Sequence, residues 1–163
     1  MTVRRKTLYL IAVLLLTAAA APPAFGHCQI PCGIYDDDAR FSLLREHVTT
    51  IEKSMQEIER LSGEKNPDWN QIVRWVNNKD LHADELSDIA TDYFLAQRVK
   101  PFDAKRSGYA DYVAEITALH EMVVHAMKAK QSIDPGICEA LRERIDRFER
   151  LYKGEGTGEA EAR

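Results

Sequence analysis

The sequence predicts an all-α protein, an antiparallel four-helix bundle, and three observations carry that prediction. Apolar residues recur at spacings of three and four along almost the whole chain after residue 36, the period of an amphipathic helix. The alternation of a half-buried strand is found nowhere in the chain. The breaks between periodic stretches are short and marked by Gly, Pro and Asp, so successive helices pack as antiparallel neighbours.

The first helix is announced by Asp36-Asp37-Asp38. Acidic side chains suit a helix start because they accept from its free N–H groups and favour its positive end. Phe41, Leu44, Val48, Ile51, Met55 and Ile58 then form an unbroken seam that runs to Ser62-Gly63, with Gly63 as the C-terminal cap. Asn66-Pro67-Asp68 opens the second helix, with proline near the first turn where its missing N–H costs nothing. Its seam is Trp69, Ile72, Val73, Val76, Ala83, Leu86, Ala90 and Tyr93, ending at Pro101. Lys79 and Asp80 interrupt it, leaving open one long helix or two shorter ones. The third helix is expected over Tyr109–Lys130, with Val113, Ile116, Leu119, Val123 and Met127 facing inward. The fourth opens at Asp134-Pro135-Gly136 and carries Ile137, Leu141, Ile145, Phe148 and Tyr152. Gly154–Arg163, with no apolar residue beyond alanine, is expected to be a solvated, disordered tail.

Residues 1–26 read as a cleaved signal peptide. Arg4-Arg5-Lys6 supply the positive start, Leu8 to Ala21 the apolar stretch, and Ala24-Phe25-Gly26 the small residues before a signal-peptidase cut. The apolar run is about fourteen residues, short of the roughly 20 that span a bilayer. No stable membrane insertion is expected after cleavage. The expected compartment is outside the cytoplasm, periplasmic or secreted. Without those 26 residues the chain carries 19 Lys and Arg against 26 Asp and Glu, a net charge of −7. That balance, with no basic tract interleaved with aromatics, excludes a nucleic-acid partner.

A cut after Gly26 frees the backbone amine of His27, and the first residues then offer an unusual donor set over positions 27–35. The amine of His27 and the deprotonated amide of Cys28 supply two nitrogens. The thiolates of Cys28 and Cys32 supply two sulfurs, and Pro31 can bend the backbone so that Cys32 returns to the same plane. A plane of nitrogen and other strong donors suits Ni(II) or Cu(II), whereas zinc takes a tetrahedron. The His27 imidazole can approach such a metal axially. Two cysteines at this spacing in an exported protein otherwise form a disulfide by default; their place directly after the cleavage site favours metal.

The run His27-Cys28-Gln29-Ile30-Pro31-Cys32-Gly33-Ile34-Tyr35 closely resembles the N-terminal hook of the nickel superoxide dismutases, His-Cys-x-x-Pro-Cys-Gly-x-Tyr, with every fixed position present. The resemblance implies a nickel cofactor held by His27, Cys28 and Cys32, and Tyr35 as a phenol guarding the open face. It implies superoxide as the substrate, converted to dioxygen and hydrogen peroxide by Ni(II)/Ni(III) cycling. It also implies a homohexamer of four-helix bundles. Asp92-Tyr93-Phe94 is similar to a second family run whose tyrosine lies near the same pocket, which marks Tyr93 for an outer role. Many members have aspartate where this chain has Gln29. One branch orients the imidazole with a glutamate–arginine pair; Glu46, Arg74 and Lys79 come nearest to it, and the role is assigned to none of them. The alternative function is an exported nickel or copper carrier using the same grip without turnover, and Tyr35 argues against it.

The remaining cysteine and histidines carry no site in this reading. Cys138 is expected as a buried free thiol. His47 falls between seam positions and is expected to be solvated. His120 and His125, five apart, are expected at the surface or partly packed, since ligands on one helix face lie three or four apart.

Overall fold

The computed structural model of the chain describes residues 36–154, and these form four helices with no strand among them. Helix α1 is Asp37–Ser62, α2 is Trp69–Asp88, α3 is Tyr109–Gln131 and α4 is Gly136–Tyr152. A π-helical segment, Ile89–Arg98, continues α2 without a break. The bundle closes as a ring: α1 packs on α2 and α4, and α3 on α2 and α4. The signal peptide, residues 27–35 and the last nine residues of the tail lie outside the described residues.

The helix ends are built as the sequence suggests. Asp36 caps α1, its carboxylate accepting from Ala39 N at 2.9 Å. Asp68 caps α2 through Gln71 N at 3.2 Å. Gly63 terminates α1, its N–H bonded to Glu59 O and Leu61 O. It does so in the right-handed conformation, without the left-handed turn that usually selects glycine there. Gly108, at φ 89°, is the residue before α3 that does need to be glycine. Asp134 accepts from Gly136 N at 2.9 Å and sets the opening turn of α4.

The main core gathers Phe41, Leu44, Val48, Ile51 and Met55 of α1 with Ala83, Leu86, Ala90, Tyr93 and Phe94. Leu119 and Met122 of α3 and Leu141, Ile145 and Phe148 of α4 complete it. The α1 and α4 seams are those expected. The α3 seam is so only in part: Leu119 is buried and Ile116 and Val123 pack against the core, but Val113 and Met127 are exposed, and the fully buried residues are Glu115, Ala118, Leu119, Met122, Ala126 and Ala129. The large aliphatics suggested a face rotated by a residue or so from the one on which the alanines are buried. Trp69 and Val73, counted in the α2 seam, stand on the surface at 66% and 55% exposure; Ile72 turns inward and joins Ile58 and Leu61 in a small second cluster.

The apparent interruption at Lys79 is the main correction within α2. The helix runs straight through it, and Lys79 occupies the seam position between Val76 and Ala83, 3% exposed. Its ammonium donates to Ala129 O at 2.5 Å, Lys130 O at 2.8 Å and Asp80 Oδ1 at 2.8 Å. The cation therefore sits on the last carbonyls of α3, where it satisfies orphan acceptors and meets the negative end of that helix. His47 corrects a second expectation: it is buried at the α1–α2 interface rather than solvated.

Replacing Lys79 with Ala strands two carbonyls that its ammonium satisfies, which should cost about 2 kcal/mol. Urea unfolding at neutral pH checks this, with Lys79→Met as the control that restores the volume but not the hydrogen bonds; both variants should fall below the parent.

Candidate metal centre

The expected ligands His27, Cys28 and Cys32, and the expected guard Tyr35, lie outside the described residues. What the structure describes is the ground on which that segment ends, beginning one residue after Tyr35.

Asp37, in the first turn of α1, is a four-way junction. Its Oδ1 accepts from the Tyr93 hydroxyl at 2.6 Å and from Arg98 Nε at 3.0 Å. Its Oδ2 accepts from Arg98 Nη2 at 2.7 Å and from the Tyr152 hydroxyl at 2.8 Å. Three partners from two other elements thus hold the start of α1: Tyr93 and Arg98 from the π-helical segment, Tyr152 from the end of α4. Below the junction Phe41, Phe94, Phe148 and Tyr152 pack ring against ring, with centroids 4.9–6.0 Å apart. The Arg40 guanidinium lies over the Tyr93 ring, 5.0 Å from its centroid.

The π-helical register makes the junction possible. Tyr93 and Arg98 are five residues apart. In an α-helix such residues diverge by about 140° around the axis. In a π-helix five residues close one hydrogen-bonded turn, and the segment ends on such a bond, Val99 N to Phe94 O at 2.8 Å. Both side chains therefore reach one carboxylate.

The electrostatics follow from that geometry. Burial pushes the Asp37 carboxyl up, but the hydrogen bonds from Arg98, Tyr93 and Tyr152, with the charge of Arg98, outweigh it and hold the group below its ordinary 3.8. Burial first, and then the neighbouring Asp37, push the Tyr93 and Tyr152 phenols up to about 12. Both are protonated donors at neutral pH. Asp38 pairs with Lys153 at 2.8 Å, so two of the three acids that open α1 are matched by cations.

Of the residues considered for orienting an imidazole, Lys79 is committed to the end of α3, and Glu46 and Arg74 are exposed. Cys138 is a buried free thiol, 3.8 Å from the Met55 sulfur and pushed up to about 11 by burial, so it stays protonated. His120 is exposed; His125 is partly packed, its Nδ1 2.7 Å from Glu121 O. Arg98 and Tyr152 had no functional reading in the sequence. Nothing in an α-helical count puts Arg98 beside Tyr93, and Tyr152 read as ordinary seam.

The fold and this junction define a four-helix bundle whose first helix is fixed at the point where a cysteine-bearing N-terminal segment ends. A sequence profile for nickel-containing superoxide dismutase matches residues 17–155. The chain belongs to that family: it is a nickel-containing oxidoreductase that dismutates superoxide. No curated protein and no solved structure matches it.

Because Asp37 titrates below its unfolded value, its contribution to stability is present above pH 3.8 and is lost as pH falls through the lower folded value. The two tyrosines act at the other limb, their contribution present below pH 10 and lost as pH rises toward about 12. Denaturant unfolding across acid and alkaline pH should show both limbs in the parent and flatten both in Asp37→Asn.

Proposed function

We propose that a cut after Gly26 creates the enzyme's nickel site. The His27 amine, the Cys28 amidate and the thiolates of Cys28 and Cys32 would hold the metal, and the His27 imidazole would be a further donor. The donor set fits the cofactor: two anionic sulfurs and a nitrogen pair favour a planar, electron-rich site. When bound, nickel would supply a one-electron couple, Ni(II)/Ni(III), of the kind that conversion of superoxide to dioxygen and hydrogen peroxide requires.

The observation that carries this assignment is the run His27-Cys28-Gln29-Ile30-Pro31-Cys32-Gly33-Ile34-Tyr35, which has every fixed position of the family's hook in a chain that belongs to the family; the Asp37 junction adds a firm anchor where that run meets α1. A ligand-bearing segment at a chain terminus has no neighbour on its N-terminal side, so its placement depends on where it joins the fold. Asp37 is fixed two residues after Tyr35, by a tyrosine from the Asp92-Tyr93-Phe94 run. Tyr93 is a positioning residue here. Its hydroxyl donates to Asp37, and the candidates for delivering protons to the peroxide are the Tyr35 phenol, bound water and a protonated thiolate. The pairing of Asp37 with Arg98 and of Asp38 with Lys153 reduces local repulsion of an anionic substrate by a chain whose mature net charge is −7.

The reading includes export by signal peptidase to the periplasm or exterior, and assembly as a homohexamer. Trp69, Val73 and Leu81, exposed at spacings of four and eight on one side of α2, support a face that a second subunit covers. No helix among the described residues is long and apolar enough to cross a membrane.

Intact mass, metal content and superoxide dismutation of protein from the exported fraction test the site together. The expected result is a chain starting at His27, with one nickel per subunit and activity. Cys32→Ser should lose nickel and activity in step, while Tyr35→Phe keeps nickel and changes the rate. Full activity in Cys32→Ser would remove the hook as the site; nickel without turnover would favour the carrier.

A further inference from the structure

His47, His82 and Glu85 bring three donor atoms to one point at the α1–α2 interface. His47 Nδ1 and His82 Nδ1 are 2.9 Å apart, and Glu85 Oε2 lies 3.4 Å from the first and 3.2 Å from the second. His82 and Glu85 stand three apart on α2, one turn of the same face, and His47 faces them from α1. The rings are tilted at 43° with centroids 5.1 Å apart, so they converge through their Nδ1 edges and do not stack flat.

As a hydrogen-bonded network the triangle is poorly provided for. Each Nδ1 carries a proton or a lone pair, never both. Between two neutral rings one Nδ1–H serves the other nitrogen, and the carboxylate corner is left at 3.2 and 3.4 Å, beyond the about 2.7–2.9 Å of a charge-assisted bond. As a coordination triangle it is well proportioned. Ligand atoms at about 2.0–2.2 Å from a tetrahedral zinc ion lie about 3.3–3.5 Å from one another, and small rotamer shifts open the 2.9 Å edge to that value.

We propose that His47, His82 and Glu85 form a second metal site, for a divalent ion of the zinc class, separate from the nickel site. Two imidazole nitrogens and one carboxylate are a zinc donor set that leaves the fourth tetrahedral position open to water. The His47 side chain is 11% exposed and closes the inner side; Glu85, at 44%, faces solvent and gives the ion its way in. His47 is ten residues beyond Asp37, about 15 Å along the α1 axis, so the site is independent of the Asp37 junction. A bound ion ties α1 to α2 midway along their contact.

The test uses mature, nickel-loaded protein titrated with Zn(II), reading heat, metal content after desalting, and thermal midpoint. The expected result is one tight zinc per chain with nickel retained, and a raised midpoint. His82→Ala and Glu85→Gln change the more exposed ligands and should keep the fold and the nickel. Each should weaken zinc binding at least tenfold and abolish the rise. Co(II) in place of zinc should give the intense visible bands of a tetrahedral site in the parent and lose them in His82→Ala. Absence of binding would overturn the proposal, as would zinc uptake only in exchange for released nickel, or uptake unchanged in both variants. Nickel content and dismutase activity are read in the same samples, so failure of the hook assignment is seen separately from failure of this site.

Discussion

A single carboxylate, that of Asp37, joins three elements that are far apart in sequence. Tyr93, Arg98 and Tyr152 lie 56, 61 and 115 residues away along the chain. A carboxylate accepts several hydrogen bonds at once, and here two neutral phenols and one guanidinium share it. Burial alone would make a lone carboxylate costly. The guanidinium fork supplies the charge, and the two hydroxyls fill the remaining acceptor positions without adding more. The junction thereby fixes the first turn of α1 against both the π-helical segment and the last turn of α4. The tilted and edge-on rings of Phe41, Phe94 and Phe148 beneath it keep water from the apolar side.

The same principle, a charge placed where helix ends leave acceptors free, operates at Lys79. An apolar residue there would complete the α2 seam but leave the final carbonyls of α3 with no donor from α2. The two devices sit at different levels of the bundle and both draw on α2 and its π-helical continuation. That continuous element supplies Lys79, Tyr93 and Arg98 to these contacts, while α1 and α4 supply most of the large apolar side chains and are joined to each other by the Arg142–Glu52 and Arg45–Asp146 pairs. The buried side chains of α3 include the small Ala118, Ala126 and Ala129, the last of which also offers its carbonyl to Lys79.

Helix number, order and ends were legible in the sequence because they rest on local chemistry: Asp36 and Asp68 as caps, Gly63 and Pro101 as terminators, and period-3.6 seams. The seams of α1 and α4 were legible because leucine, isoleucine and phenylalanine mark them. The α3 face was misplaced in part because alanine carries little hydrophobic signal, yet Ala118, Ala126 and Ala129 are fully buried there. Lys79 read as a break because its partners, backbone carbonyls 50 and 51 residues on, leave no trace in side-chain pattern. His47 read as solvated because its cover comes from α2. The π-helical register, and with it the place of Arg98, was illegible for the same reason: no residue in Ile89–Arg98 announces a five-residue turn. The family was legible from the nine residues 27–35, and the profile match over residues 17–155 agrees with it.

The division between hook and bundle follows from what the proposed ligands require. A primary amine adjacent to an ionisable amide exists only at a chain terminus, so a helix interior cannot supply it: every amide there is engaged in the helical ladder. A site built on these donors must lie before the first helix, and the residues that join it to the fold are one route by which the fold can act on it. In this chain the connection is short, from Tyr35 to Asp37, and its C-terminal end is the most heavily bonded carboxylate among the described residues. A loosely held α1 start would let the terminal donors wander relative to any group the bundle offers, and positional errors near 1 Å are enough to cost a reaction about a hundredfold. The strength of the Asp37 junction is thus a contribution that the helical bundle can make to the proposed site.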